Sequence, residues 1–118
     1  MTWEEANIYC QEIENGTLVQ IWNQLQLDFI RMELGFLYDH VQVPFWWTSG
    51  TDAGKEGVWR WASSLAPVQD FLWNPSGFHE PNGGLNENCL CLRHDRDFFG
   101  GDITCSRSVE TGIICERK

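Results

Sequence analysis

Two stretches in the first third of the chain carry apolar side chains at helical spacing. Thr2 and Glu5 stand three residues apart, as in a capping box, and predict a helix that runs to about Glu14. Gly16 is well placed to end that helix. A second set of apolar residues recurs in steps of three and four and predicts a helix of four turns: Trp22, Leu25, Phe29, Met32 and Phe36.

The rest of the chain is a series of short apolar runs separated by turn residues. Each of the runs VPFWWTSG, GVWRWAS, CLCLRH, DITC and TGIICERK has the length of a strand. Trp59 and Trp61 alternate in the second run, so they share a face, and core packing is the simplest role for them. Between Ser63 and Asn88 lies a long segment with three prolines, which we interpret as a functional loop anchored by Trp73. Helices followed by strands predict an α+β domain.

Composition and charge narrow the possible partners. The 118 residues suit one domain, and the net charge of −9 provides no electrostatic footprint for nucleic acid or for an anionic membrane. No apolar run is long enough for a membrane span. The five cysteines form no C-x-x-C pair, and Asn15 begins a glycosylation sequon, which together favour a secreted, extracellular protein. Nucleotide-binding, hydrolase and zinc-site motifs are not found, so we do not interpret the chain as an enzyme.

The order of these features resembles that of a C-type lectin domain, particularly the single-domain invertebrate kind. The resemblance is carried by a helix near Cys10, WTSG in place of the family's W-I-G-L motif, W-x-W, the tripeptide EPN, Cys89, GDITC and GIICE, and it covers Thr2 to Glu116. It implies a C-type lectin-like fold in which two helices pack on short antiparallel sheets, with a long calcium- and sugar-binding loop. Residues 1–118 then form a single carbohydrate-recognition domain in which the family's strand before the first helix has no counterpart.

The resemblance also implies how the cysteines pair. Cys10 is expected to bond to Cys115, and Cys89 to Cys105, which closes loops of about 100 and about 15 residues. Cys91 is left over and points to the same side of its strand as Cys89. Two interpretations stay open for Cys91: a buried thiol, or an intermolecular disulfide that makes a homo-oligomer.

The stretch HEPNGGLNENC supplies oxygen atoms of the kind that calcium binds. The resemblance implies a calcium and sugar site made of Glu80, Asn82, Glu87 and Asp102, with His79 and Asn86 as further lining. The family's W-N-D motif reads Gly100-Gly101-Asp102 here, so a glycine replaces an asparagine ligand. We expect weaker calcium binding from this change. A shift of register that lets Asn86 or Asp97 substitute is the alternative.

A second, auxiliary calcium site is suggested by Asp52, Glu56 and Asn88, with Glu87 shared between the two ions. The alternative interpretation is a solvated turn in which Asp and Gly serve turn chemistry.

In the family, the order E-P-N favours sugars with equatorial 3- and 4-hydroxyls. The resemblance therefore implies calcium-dependent carbohydrate binding of the mannose type (mannose, N-acetylglucosamine, glucose or fucose), as in glycan recognition during innate immunity. The second functional class is a domain of the same fold that has lost sugar binding and acts as a protein-interaction or matrix module. The replacement at Gly101 favours this second class.

Overall fold

The computed structural model describes residues 1–55, 57–73 and 88–117. Helix α1 (Trp3–Glu12) begins as predicted, because the backbone N–H of Glu5 donates to Thr2 Oγ1 at 3.2 Å and the N–H of Thr2 donates to Glu5 Oε1 at 2.9 Å. The prediction that Gly16 ends this helix is wrong. Gly16 lies in a strand, and a Cβ atom at this position would overlap the carbonyl oxygen of Glu116 on the neighbouring strand.

Helix α2 (Gln24–Val41) confirms the second predicted helix, which begins after the N-cap Asn23. The side chain of Asn23 accepts a hydrogen bond from the backbone N–H of Gln26 at 2.8 Å. The face that α2 turns to the core carries Leu27 and Leu34. The apolar residues whose spacing predicted the helix lie on its solvent side instead.

Within the described residues, seven strands form two small sheets. All five apolar runs contain strands as predicted, the last run contains two of them, and β1 was not predicted. The strands are β1 (Gly16–Leu18), β2 (Phe45–Thr51), β3 (Arg60–Trp61), β4 (Cys89–Arg93), β5 (Gly100–Ile103), β6 (Thr111–Ile113) and β7 (Cys115–Arg117). β1 pairs with β7, while the larger sheet has the order β3-β2-β4-β5 with antiparallel neighbours, and β6 pairs in parallel with β2.

Two apolar clusters make up the described core. One lies under α2 and includes Leu27, Leu34, Trp61 and Leu90, so Trp61 has the predicted packing role. The other includes Trp47 together with the cysteines of the sheet. Trp59 packs its ring edge-to-face against Trp73 of the long segment, with 5.5 Å between the ring centroids. The core therefore anchors the long segment at Trp73.

Both predicted disulfides are present, Cys10–Cys115 and Cys89–Cys105. The first ties α1 to β7 across 105 residues and is worth roughly 4–5 kcal/mol in the chain-entropy account. Cys91 takes part in neither bridge and has 0% exposure, which confirms the buried-thiol interpretation. A disulfide from Cys91 to a second molecule is incompatible with this burial, because a second thiol has no access to the sulfur.

Candidate functional site

Asp102 lies on β5, the last strand in the order β3-β2-β4-β5, opposite Leu90 of β4. Its side chain is 1% exposed, and its backbone carbonyl accepts a hydrogen bond from Arg93 Nη1 at 3.2 Å. The same guanidinium donates from Nε and Nη2 to the carboxylate of Asp95 at 3.0 and 2.9 Å. Arg93 thus connects the turn after β4 to the backbone of Asp102. Sequence reasoning missed this role, because nothing in the pattern around Arg93 distinguishes it from a surface arginine.

The pKa of the Asp95 carboxyl lies below its usual value in this turn. Partial burial acts to raise that pKa, but hydrogen bonds and positive charge from Arg93, with the further charge of Arg96, outweigh it. The Asp95 carboxylate therefore stays ionised and keeps the Arg93 side chain in place at neutral pH.

The register of β4 and β5 bears directly on the glycine that replaces the expected asparagine ligand. Residues 100 to 103 pair with residues 92 to 89 in unbroken steps, which places Gly101 opposite Cys91. Asp97 lies in the turn at the far end of β4 and bonds to Arg31 of α2 with an N–O distance of 2.7 Å. The prediction that Asp97 substitutes as a ligand is therefore wrong. The other proposed substitute, Asn86, lies outside the described residues.

Gly100 stands where the family motif has its tryptophan, and the surrounding backbone explains its small size. A Cβ atom at Gly100 would lie 3.0 Å from the carbonyl oxygen of Leu72. Gly100 also forms a bridge with Trp73 of the long segment. Gly100 thus permits a close approach between β5 and the backbone of Leu72.

Asp52 directly follows the end of β2. Its backbone N–H and the hydroxyl of Thr51 both donate to the carbonyl oxygen of Asn88, at 3.1 and 2.7 Å. These bonds hold Asp52 beside the residue that precedes β4. Thr51 is a second positioning residue that sequence reasoning missed, since its partner lies 37 residues away.

The carboxylate of Asp52 is buried, with only 3% exposure of the residue. Its Oδ2 accepts a hydrogen bond from the backbone N–H of Gly57 at 2.9 Å. Its Oδ1 is inaccessible to solvent and receives no hydrogen bond from any described residue. A buried carboxylate oxygen without a donor is costly in free energy. Asp52 is therefore not solvated as the alternative interpretation expected, although its bond from Gly57 is the turn chemistry of that interpretation. Such an oxygen suits a hard cation, whose preferred ligands are carboxylate and amide oxygens.

Several predicted site residues lie outside the part of the chain that the structure describes, namely Glu56, His79, Glu80, Asn82, Asn86 and Glu87. Of the predicted ligand residues, the structure describes Asp52, Asn88 and Asp102, all buried or half-buried at the ends of β2, β4 and β5. Within residues 1–55, 57–73 and 88–117, no three His, Cys, Asp or Glu side chains gather as a metal site. The sequon residue Asn15 is exposed in the turn before β1, and its glycosylation stays a prediction. Neither of the two described helices is long and apolar enough to cross a membrane.

Comparisons with known proteins agree with this architecture. The family profile of the Lectin C-type domain matches residues 1–117. The human protein C-type lectin domain family 10 member A is 29% identical over 118 residues, which cover 98% of this chain but 34% of that protein. The chain thus spans about a third of the length of that relative.

Two solved structures superpose over nearly the whole chain. The carbohydrate-recognition domain of the mouse scavenger receptor C-type lectin has a TM-score of 0.75 and 24% identity, and the match covers 99% of this chain and 84% of that one. A calcium-independent type II antifreeze protein has a TM-score of 0.73 and 26% identity, with 98% and 77% covered. On the family match, the two disulfides and the arrangement of helices and sheets, the chain belongs to the C-type lectin domain family.

Proposed function

We propose that this domain binds carbohydrate of the mannose type in a calcium-dependent manner. The observation that carries the proposal is the buried Oδ1 of Asp52, which lies beside the residue where the long segment rejoins the sheet and has no donor among the described residues. C-type lectin domains are generally binding modules without enzymatic activity, so a cation at this position serves binding.

Two sets of residues would hold calcium. The primary set is Glu80, Asn82, Glu87 and Asp102, and the auxiliary set is Asp52, Glu56 and Asn88, with Glu87 shared. All of these side chains offer oxygen, as calcium requires. When bound, the ion supplies coordination positions for two neighbouring sugar hydroxyls. Because Gly101 offers no side-chain oxygen, the primary set is one ligand short and its affinity for calcium is expected to be weaker than that of a complete set.

The side chains around the ion would select the sugar. Glu80 and Glu87 accept hydrogen bonds from hydroxyl groups, and the amide of Asn82 donates to hydroxyl oxygens. With the order E-P-N, the resemblance favours equatorial 3- and 4-hydroxyls, hence mannose, N-acetylglucosamine or glucose, and also fucose. His79 and Asn86 would line the same surface.

Affinity chromatography tests the proposal. The wild-type chain should be retained on immobilised mannose in calcium and released by a chelator. The double substitution Glu80→Gln with Asn82→Asp changes the tripeptide to Q-P-D and should move retention from mannose to galactose resin. Asp39→Asn removes one exposed carboxylate from α2 and serves as the control that keeps mannose retention. Retention that persists in chelator would show that calcium is not required.

A second candidate function is a C-type lectin-like domain without sugar binding, working as a protein-interaction or matrix module. Gly101, which replaces the family's asparagine ligand, favours it, as does the structural similarity to a calcium-independent type II antifreeze protein. This candidate predicts no retention on either sugar resin and no effect of calcium on the chain.

Two disulfides in a chain of 118 residues are typical of oxidising compartments, and we propose a secreted protein that recognises glycans in innate immunity. Single shallow sugar sites bind weakly, so useful avidity would require more than one domain acting together.

A further inference from the structure

Helix α2 has two apolar faces on opposite sides. Leu27 and Leu34 face the core and are buried, together with the half-buried Ile30 and Tyr38. A second row faces solvent, and we refer to it as the α2 stripe: Leu25, Phe29, Met32 and Phe36. Their exposure lies between 54% and 80%. A helix that covers the domain core needs only the first face, and the α2 stripe takes no part in the core of the described residues.

The α2 stripe has the geometry of a helix-pairing seam. At about 100° per residue, its four members fall within about 60° of arc, on the side directly opposite Leu27 and Leu34. Their steps of four, three and four residues repeat the a and d positions of a heptad, with Trp22 one further step before the helix. A narrow seam with this period is typical of two packed helices, whereas a helix buried in a single core has a broader apolar stripe.

The exposed apolar area of the α2 stripe is also large enough for contact with a partner. Aromatic side chains cover about 150–250 Å² each, so the α2 stripe and Trp22 expose an apolar area on the order of 500 Å². That area is at the upper end of what single soluble domains leave uncovered. With the flanking side chains that two packed helices also cover, each partner approaches the roughly 800 Å² of a standard specific interface.

We propose that the α2 stripe is the contact surface of a homodimer, in which α2 packs antiparallel against α2 of a second copy. A two-fold contact requires a self-complementary surface, and an uncharged heptad row meets this requirement. In the antiparallel arrangement Leu25 lies opposite Phe36 of the second copy, and Phe29 lies opposite Met32. The positive N-terminal end of each helix dipole then lies beside the negative C-terminal end of the other, which is favourable.

Charges beside the row agree with the antiparallel orientation. Asp28 and Gly35 are g positions on one flank of the seam, and Gln26 and Glu33 are e positions on the other flank. In the antiparallel pair Asp28 faces Gly35 of the second copy and Gln26 faces Glu33, so no two carboxylates on the flanks face each other. Gly35 adds no side chain to the flank, which permits the helices to approach closely. The inference does not depend on sugar binding, although a dimer would bring two sites together.

The first test is the mass of the chain in solution as a function of concentration, measured by sedimentation from about 1 to about 500 µM. The wild-type mass should rise from 13.7 kDa toward twice that value. Because each copy carries a net charge of −9, added salt should strengthen the association. A wild-type chain that stays monomeric throughout this range overturns the proposal.

Substitutions then locate the contact. Phe29→Lys and Phe36→Lys should each weaken association at least about 10-fold while the unfolding midpoint of the diluted monomer stays near the wild-type value, since both side chains are exposed. Val109→Lys introduces the same charge at an exposed apolar residue outside α2 and should leave association unchanged. Equal weakening by Val109→Lys, or none by either phenylalanine variant, contradicts the assignment to the α2 stripe.

Disulfide cross-linking tests the orientation. A mixture of the Leu25→Cys and Phe36→Cys variants should form a cross-linked heterodimer in mild oxidant more readily than either variant alone, because the two positions lie opposite each other in the antiparallel pair. Cys91 does not interfere, since it is buried. Faster cross-linking of Leu25→Cys alone would show a parallel pair and overturn the antiparallel arrangement.

Discussion

The substitution Asp52→Asn is expected to have opposite effects on stability with and without calcium. In chelator, the wild-type chain buries a carboxylate whose Oδ1 has no donor among the described residues. The asparagine side chain has the same shape and keeps the acceptor for the N–H of Gly57, but it removes the buried charge. The variant should therefore be as stable as the wild type in chelator, or more stable by about 1 kcal/mol.

In calcium the order should reverse, because the ion stabilises the native state that binds it. A ligand at 100 times its dissociation constant contributes about 2.7 kcal/mol. For 118 residues, an unfolding entropy of about 0.25 kcal/mol/K converts this contribution into a rise of about 10 °C in the midpoint. Asp52→Asn should lose most of the part of this midpoint rise that calcium at the auxiliary site contributes, since a neutral amide binds calcium less strongly than a carboxylate.

The assay is thermal unfolding of both chains in chelator and in millimolar calcium. Asp39→Asn, which removes an exposed carboxylate far along α2, is the matched control and should behave as the wild type in both conditions. The reasoning is refuted if Asp52→Asn lowers the midpoint by the same amount with and without calcium. That result would mean that Asp52 only supports its turn.

Three further predictions concern the fold. Leu34→Ala, at 3% exposure, should cost about 2–5 kcal/mol in chemical unfolding, and Leu37→Ala on the same helix, at 42% exposure, about 1 kcal/mol; equal costs would contradict the assigned core face. Gly16→Ala should separate β1 from its partner strand and shift the unfolding midpoint more than a helix substitution at Gly35, where an added Cβ meets nothing within 4 Å. The pKa of Glu5 lies below its usual 4.5, chiefly because the backbone N–H of Thr2 donates to its carboxylate. The ionised Glu5 therefore stabilises the folded state fully at pH above 4.5, and this stabilisation is lost as the pH falls through the lower pKa of the folded state. Glu5→Gln should show a smaller loss of stability than the wild type over that acidic range, and identical pH profiles would argue against the capping box as the cause.

Local chemistry explains which parts of the fold could be predicted from the sequence. The capping box at Thr2 and Glu5 is complete within four residues, and the runs that became β2 and β4 carry their own apolar and aromatic signal. β1 could not be predicted in this way, because three residues become a strand only by pairing with β7 about 100 residues later. Gly16 illustrates the same limit, since a glycine is required there because the carbonyl oxygen of Glu116 lies close to it, and not because a helix ends there.

Periodicity predicted α2 but not the direction in which its faces point. The residues at three- and four-residue steps, Leu25 to Phe36, lie in solvent, while Leu27 and Leu34 between them fill the core. Both rows have helical spacing, and only the surrounding strands decide which of them is covered.

The candidate site also has features that the sequence predicted and features that depend on distant contacts. Family resemblance supplied the ligand types and both disulfides, whereas the burial of Asp52 depends on the carbonyl of Asn88, and the position of Asp102 depends on Arg93. The role first considered for Asp97 failed because Arg31, 66 residues earlier in the chain, bonds to its carboxylate. Contacts of this range leave no trace in a single sequence.

The central claim, that calcium enables this domain to bind a mannose-type sugar, is tested most directly by calorimetric titration of mannose into the chain. With calcium present, the account predicts weak, saturable heat that disappears in chelator and is absent when galactose replaces mannose. No heat in calcium, or the same heat in chelator, would contradict the claim and favour a protein-interaction module of the same fold.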